Sequence, residues 1–257
     1  MGHAPVGCSP VSTPTTPTSA HPDSPSATLV IAVDGTSGSG KSSTCRGVAD
    51  RLGLAYLDTG AQFRAVTWWM LRAGVDVHDA DAVAARAHEP RLVSGTDPLA
   101  PTIVVDGEDV SGPIRTDEVN AAVSPVAVVP AVRTRLLELQ RSIIAGVLAE
   151  GRGIVVEGRD IGSVVWPDAP VKVYLTADPA ARAARRSAEE GGSDVAATEQ
   201  SLLARDAIDS GRTTAPLVRA DGAVEIDTTP YTLEQVVSQV AALAAGARAP
   251  GVVEARS

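Results

Sequence analysis

The chain has 257 residues, 44% of them hydrophobic but only seven aromatic, and carries 22 Lys+Arg against 31 Asp+Glu for a formal net charge of −9. That length and apolar fraction bury one sizeable core built from Val, Leu, Ile and Ala, and they exclude a chain disordered throughout. The acidic balance repels phosphate backbones, so nucleic acid and anionic membranes are not expected as partners, while small anions stay possible where local basic pockets form.

Residues 1–27 hold six Pro, five Ser and four Thr and hardly any large apolar side chain, which predicts a disordered tail. At Leu29-Val30-Ile31-Ala32-Val33 the composition changes to an unbroken apolar run, the mark of a strand buried on both faces of a parallel sheet. A glycine-rich segment follows. Then Cys45, Val48, Ala49 and Leu52 recur at helical spacing before Gly53, which predicts an amphipathic helix closed at its C′ position. Residues 92–116 carry Gly95, Pro98, Pro101, Gly107, Gly112 and Pro113 around an alternating strand at Thr102 to Asp106, predicting a small antiparallel insertion. Further apolar runs at 153–156, 171–175 and 223–226 predict three more strands, and Asp178-Pro179 reads as the N-cap and first residue of a helix. A last helix begins near Thr232, with fraying expected from Ala244 onward. Strands alternating with helices in this way predict an α/β sandwich with a mostly parallel central sheet.

No apolar run approaches the ~18–20 residues that span a bilayer, and the N-terminus has neither the basic nor the apolar region of a secretory leader, so a cytoplasmic protein is expected. Cys8 falls in the tail and Cys45 on a helix, which argues against a disulfide framework. The four His show no metal-binding spacing.

Gly35-Thr36-Ser37-Gly38-Ser39-Gly40-Lys41-Ser42 matches G-x-x-x-x-G-K-[ST] in full, directly after a buried strand and directly before an amphipathic helix. Small residues there let backbone N–H groups converge on phosphates at a helix N-terminus. Lys41 supplies a point charge to the β- and γ-phosphates, and Ser42 offers a hydroxyl to Mg²⁺, partly through water. With the following Ser43, these eight residues are the expected nucleotide-binding residues. Such a loop serves GTPases, ATPases, transporters and small-molecule kinases alike. The only Asn, Asn120, is not followed by Lys, so no guanine-reading N-K-x-D box exists, and L-S-G-G-Q is absent as well. Arginines recur near strand ends and helix starts: Arg64, Arg159, Arg182, Arg185 and Arg186. Arginine forks suit phosphate oxygens and neutralise charge in phosphoryl transfer, although a lone helical Arg such as Arg182 or Arg186 is equally a solvated one. Arg205, Asp209 and Arg212 share one helix face, where Asp209 could simply pair with Arg205. Glu157 and Asp160 flank the turn after a buried strand, where open α/β folds bind ligands.

Four segments together resemble the bacterial cytidylate kinase family: the phosphate loop, Leu57-Asp58-Thr59-Gly60-Ala61-Gln62-Phe63-Arg64, Asp106-Gly107-Glu108-Asp109-Val110-Ser111 with Ile114-Arg115-Thr116, and Glu157-Gly158-Arg159-Asp160-Ile161-Gly162-Ser163-Val164-Val165 with Pro167-Asp168-Ala169. The resemblance runs from about residue 29 to 245. It implies a nucleoside-monophosphate-kinase-like domain over 28–245, with a monophosphate-binding insertion at about 60–120, a helical lid at about 180–213 and a flexible C-terminal tail at 246–257. The implied reaction is ATP-dependent phosphorylation of CMP and dCMP with Mg²⁺, by a monomer. Arg64, Arg159 and Arg212 would hold the acceptor phosphate. Ser124, Arg133 and Asp160 would read cytosine, with Thr59 close by, and Arg205 and Asp209 would hold the ribose. Lys41, Arg159 and Arg185 would neutralise charge during transfer. Glu157 stands where the family usually has Asp, and Phe63 where Tyr is common. A kinase of another small metabolite, or a nucleotide-dependent switch with no second pocket, is the alternative reading of the same loop.

Overall fold

The computed structural model describes Met1 and residues 29–189, 192, 194–212 and 214–248; the disorder expected for residues 2–27 and for the stretch beyond Arg248 lies outside the described residues. Val30–Gly35 (β1) is buried at every position, as its unbroken apolar run predicts, and the glycine-rich loop leads from it into Lys41–Leu52 (α1). That helix buries Thr44, Cys45, Val48 and Ala49 and ends at Gly53 in the left-handed conformation. Ala55–Asp58 (β2) runs directly into Thr59–Arg72 (α2), Asp58 capping the helix by accepting the amide of Ala61 at 2.9 Å. The short helix Ala80–Arg86 (α3) precedes the strands Leu92–Ser94 (β3), Ile103–Val105 (β4) and Glu108–Asp109 (β5). A single 3₁₀ turn at Pro113–Arg115 leads to Asp117–Ala127 (α4) and Pro130–Ala149 (α5). The chain returns as Ile154–Glu157 (β6), makes a π-helical turn at Ile161–Val165 and continues as Val171–Thr176 (β7). Pro179–Glu189 (α6), Val195–Gly211 (α7), Val224–Asp227 (β8) and Leu233–Arg248 (α8) complete it.

The five main strands lie in the order β2-β6-β1-β7-β8, every neighbouring pair parallel. One face buries Ile31, Val33, Val155 and Val173 against α1 and α8, the other Val30, Ala32, Val156 and Leu57 against residues of α5. Burial on both faces is why β1 and β6 read as continuous apolar runs; β7 alternates buried and half-buried positions and the edge strand β8 buries only Ile226, so neither is the doubly buried strand its run predicts. The insertion has a separate core, in which Val66, Met70, Ile103, Ile114, Val126 and Leu136 meet. Its three strands form their own antiparallel sheet, and β4 and β5 are joined by the two residues Asp106-Gly107, both at positive φ (52° and 90°), the type I′ geometry that an Asp-Gly pair favours.

Two boundaries differ from the sequence expectation. β2 carries only three apolar residues, Ala55, Tyr56 and Leu57, too few to stand out, and is a strand because it pairs with β6. α8 continues to Arg248, past the fraying expected from Ala244 onward, because Leu243 and Ala244 still pack on the core. Among the described residues no helix is long and apolar enough to cross a membrane.

Candidate active site

β1 is the central strand, flanked by β6 on one side and β7 on the other, and a crevice opens beyond the carboxyl ends of the sheet. The loops after β1, β2 and β6 all end there. They meet α4 and α5 on one side and α6 and α7 on the other, around a cavity of about 850 Å³. Ser37, Gly38, Gly40, Lys41, Ser42 and Ser43 line it from the donor side. Thr59, Arg64, Ser124, Arg133, Arg159, Asp160, Arg185, Arg205, Asp209 and Arg212 line the rest, so the substrate residues named from the sequence converge on one space.

The loop after β1 lies so close to β7 that a Cβ at Gly35 would collide with the carbonyl of Leu175. Thr36 N–H donates to that same carbonyl at 3.3 Å, and Ser39 Oγ to Thr36 O at 2.9 Å. Gly35, Thr36 and Ser39 therefore shape the loop from beneath. Lys41 Nζ donates to Gly35 O (3.0 Å) and Thr36 O (2.7 Å), curled over its own loop. Burial, then the nearby Arg159, push its pKa down to about 7. Ser42 Oγ donates to Glu157 Oε1 at 2.7 Å. Burial and the neighbouring Asp58 push the Glu157 carboxyl up to about 7, and its Oε2 is buried with no hydrogen-bond partner.

That orphaned oxygen, with the Ser42 hydroxyl and Asp58 nearby, makes a set of hard oxygen donors. Among the described residues no group of three or more His, Cys, Asp or Glu could cage a metal. An incomplete oxygen set beside a phosphate loop fits Mg²⁺, which keeps several waters and takes its remaining ligands from substrate phosphates.

Across the cavity from the phosphate loop, Arg64 donates to the Asn120 side chain (2.6 Å) and to Ile114 O (3.2 Å), which aims its guanidinium into the cavity. Arg159 donates from Nε to Asp209 Oδ2 (2.9 Å) and from Nη1 to Gly35 O. Arg212 pairs with Asp209 at 2.9 Å. Asp209 is therefore held between Arg159 and Arg212, not by Arg205 as helical spacing alone allows, because α7 turns it toward β6. Burial, then Arg159 and Arg64, lower Arg205 to about 9; burial, then Arg115, lower Arg64 to about 10. Arg133 donates to Asp160, and the Phe63 ring lies under its guanidinium at 5.6 Å. Burial raises the pKa of Asp160, and Arg133 and Arg212 draw it back. Thr59 Oγ1 donates to Glu157 O at 2.7 Å, linking α2 to β6.

Residues of α6 and α7, with Thr228 after β8, grip the phosphate loop. Arg182 is 4% exposed, so it is not one of the solvated helix arginines; it donates to Ser37 O (2.9 Å) and to Asp206, whose other oxygen accepts Ser37 N–H at 2.9 Å. Arg185 donates to Thr228 Oγ1 (2.9 Å) and Thr228 O (2.8 Å), and Thr228 Oγ1 reaches Ser39 O at 3.1 Å. Asn120, Asp206 and Thr228 escape sequence reasoning. The chain's sole Asn and the Asp next to Arg205 are the only local hints of the first two, since their partners lie 56 and 169 residues away.

One phosphate loop holds one polyphosphate. The second arginine-lined region facing it therefore implies an acceptor that itself carries phosphate, and with the parallel sheet defines a P-loop kinase that acts on a phosphorylated small molecule. The family model described as cytidylate kinase matches residues 31–245, and the chain belongs to the cytidylate kinase family. It is 60% identical over 220 residues to the cytidylate kinase of Streptomyces griseus subsp. griseus, covering 86% of this chain and 94% of that protein. Against that of Streptomyces avermitilis the identity is 58% over 221 residues, with the same shares covered. Against that of Mycobacterium avium it is 48% over 220 residues, covering 84% and 94%.

Proposed function

We propose that the chain transfers the γ-phosphoryl group of ATP to CMP and dCMP, giving CDP and dCDP, by direct in-line displacement with no covalent enzyme intermediate. An acceptor phosphate oxygen bonds to the γ-phosphorus as the bond to the β,γ-bridging oxygen breaks and ADP departs. The observation that carries this is Arg64, Arg159 and Arg205 gathered in one cavity with the phosphate loop, each raising the cost of its neighbours' charge until an anion arrives. Phosphoryl transfer through a loose transition state needs positioning and charge neutralisation more than a protein nucleophile.

In this reading residues 35–43 hold the ATP phosphates. Lys41 swings from its own loop carbonyls to the β- and γ-phosphates, and Arg185 reaches the transferring group from the lid. Arg64, Arg159 and Arg212 bind the acceptor phosphate, while Arg205 and Asp209 bind the ribose. Ser124, Arg133 and Asp160 read the cytosine edge, with Thr59 beside them. Mg²⁺ would be held by Ser42, partly through water, with the Glu157 carboxyl beside it, supplying charge neutralisation at the phosphates. Residues 28–245 form the working domain, 60–120 its monophosphate-binding insertion and 180–213 its lid; 1–27 and 246–257 are tails outside the reaction. The protein acts as a cytoplasmic monomer.

An assay of ADP release with ATP and a panel of nucleoside monophosphates tests the reading. Turnover should require an acceptor and be fastest with CMP and dCMP. ATP binding with no acceptor-dependent turnover would replace the enzyme by a nucleotide-dependent switch, and turnover on another metabolite alone would replace the substrate.

A further inference from the structure

The acceptor site depends on two side chains, Arg159 and Asp160, that project from the short connection between β6 and the π-helical turn. A connection of three residues has little rigidity of its own, so something must fix its direction. Asp34, the next-to-last residue of β1, does this from below. Its Oδ1 accepts Ile161 N–H at 2.7 Å and its Oδ2 accepts Gly162 N–H at 2.8 Å, across 127 and 128 residues of sequence. The side chain is 3% exposed and lies outside the cavity lining, so no substrate contact accounts for a carboxylate there. The far end of the same turn is held by Arg141 of α5, which donates to Val165 O (3.0 Å) and Val164 O (2.8 Å). An anion at the first amides and a cation at the last carbonyls clamp the turn in the sense that its dipole favours. Ile161 and Gly162 directly follow Asp160. Asp34 also directly precedes Gly35, whose carbonyl accepts from Arg159.

We propose that Asp34 is a positioning residue for the acceptor site: by accepting both amides that open the turn, its carboxylate sets the directions of Arg159 and Asp160 relative to the phosphate loop. The inference rests on the reading that these two side chains hold the acceptor's phosphate and base. Burial pushes the Asp34 carboxyl up to about 6 while the two amides draw it back, so it is ionised at neutral pH at a cost that burial alone would argue against. A hydrophobic or amide side chain would fill the same space without that cost. A hydrophobic side chain accepts neither N–H, and an amide offers one acceptor oxygen where these two N–H groups use two.

Asp34→Asn is the test, read by steady-state kinetics with ATP as donor and CMP or UMP as acceptor, beside thermal unfolding. The amide keeps the shape and turns one acceptor into an NH₂ group facing an N–H. The expected result is a KM for CMP raised about tenfold or more, since small misplacements of binding groups carry losses of that order. The CMP to UMP ratio of kcat/KM should narrow toward that of Asp160→Ala, with little further narrowing when the two substitutions are combined. KM for ATP should stay within a factor of about two. A lower melting temperature with wild-type KM for CMP and a wild-type ratio would show that Asp34 only stabilises the fold, and would overturn the inference. If the ratio is unchanged in Asp160→Ala as well, the acceptor-site reading itself fails, and the inference with it. Should Asp34→Asn not fold, amide exchange in the wild-type protein without substrate decides: protected Ile161 and Gly162 amides are expected, and free exchange of both refutes the clamp.

Discussion

Lys41 shows at a single residue how burial and a neighbouring cation set the charge of the phosphate loop. In the folded chain its ammonium has two loop carbonyls as partners, and burial with Arg159 holds its pKa near 7 against the ordinary 10.5. Between those values a polyphosphate brought alongside Lys41 favours its cation. Binding of ADP at pH 8.5 without metal should therefore take up protons, seen as a dependence of calorimetric heat on buffer ionisation enthalpy that Lys41→Met abolishes. The same contact strengthens as the γ-phosphoryl group departs, so Lys41→Met should lower kcat by about 10²-fold or more. A kcat within a few-fold of wild type would remove Lys41 from the reaction. Asp160 belongs to the same scale. Cytosine offers an amino donor where uracil offers a carbonyl, so an ionised carboxylate at that edge attracts one and repels the other. Asp160→Ala should cost more with CMP than with UMP, and equal losses on both would leave Asp160 only the task of holding Arg133.

Among the elements, α7 decides most about the cavity. Its N-terminus is capped by Asp194, which accepts the amides of Ala196 (2.8 Å) and Ala197 (3.2 Å), and from there one face carries Arg205, Asp206 and Asp209 toward the sheet. Asp206 reaches the phosphate loop, and Asp209 reaches both Arg159 after β6 and Arg212 beyond the helix. Asp209→Ala leaves two arginines facing each other without their anion. A simple pair on an exposed helix face would be worth only ~0.3–0.5 kcal/mol. Here the expected loss of stability is about 1–3 kcal/mol, because a buried charged network is broken. KM should rise for CMP and dCMP alike if Asp209 acts chiefly through Arg159, and more for CMP if it also accepts a bond from the ribose 2′-hydroxyl. A melting temperature lower by less than a degree with unchanged kinetics would reduce Asp209 to a helix-face pair.

For the whole molecule, the sheet with α1 and α8 forms one core and the insertion forms another, and the cavity lies where they meet α6 and α7. The residues assigned to substrates fall between Gly35 and Arg212, inside the family match at residues 31–245. A protein lacking residues 2–27 should therefore keep kcat within a factor of about two and its melting temperature within a few degrees. Large losses in either would show that the segment takes part in the fold or the reaction.

Local chemistry by itself determined the phosphate loop, the strands β1 and β6 buried on both faces, the cap at Asp178 and the Asp-Gly hairpin. Each depends on residues a few positions apart, through backbone conformation, periodicity or a side chain bonding to its own helix. The family motifs hold Lys41, Arg64, Arg159 and Asp160 in short segments, whereas Arg133, Arg205, Asp209 and Arg212 lie outside those segments and come with the resemblance as a whole. What only the tertiary structure decided is which charge faces which. Asp209 lies between Arg159 and Arg212, Arg182 is buried against Ser37 and Asp206, and Asp34 holds amides 127 and 128 residues away. β2 is likewise a strand through its pairing with β6 and not through its own three apolar residues. Such pairings depend on burial and direction in space, which composition and spacing do not carry, and they appear only once the parallel sheet brings the ends of β1, β2 and β6 to one edge.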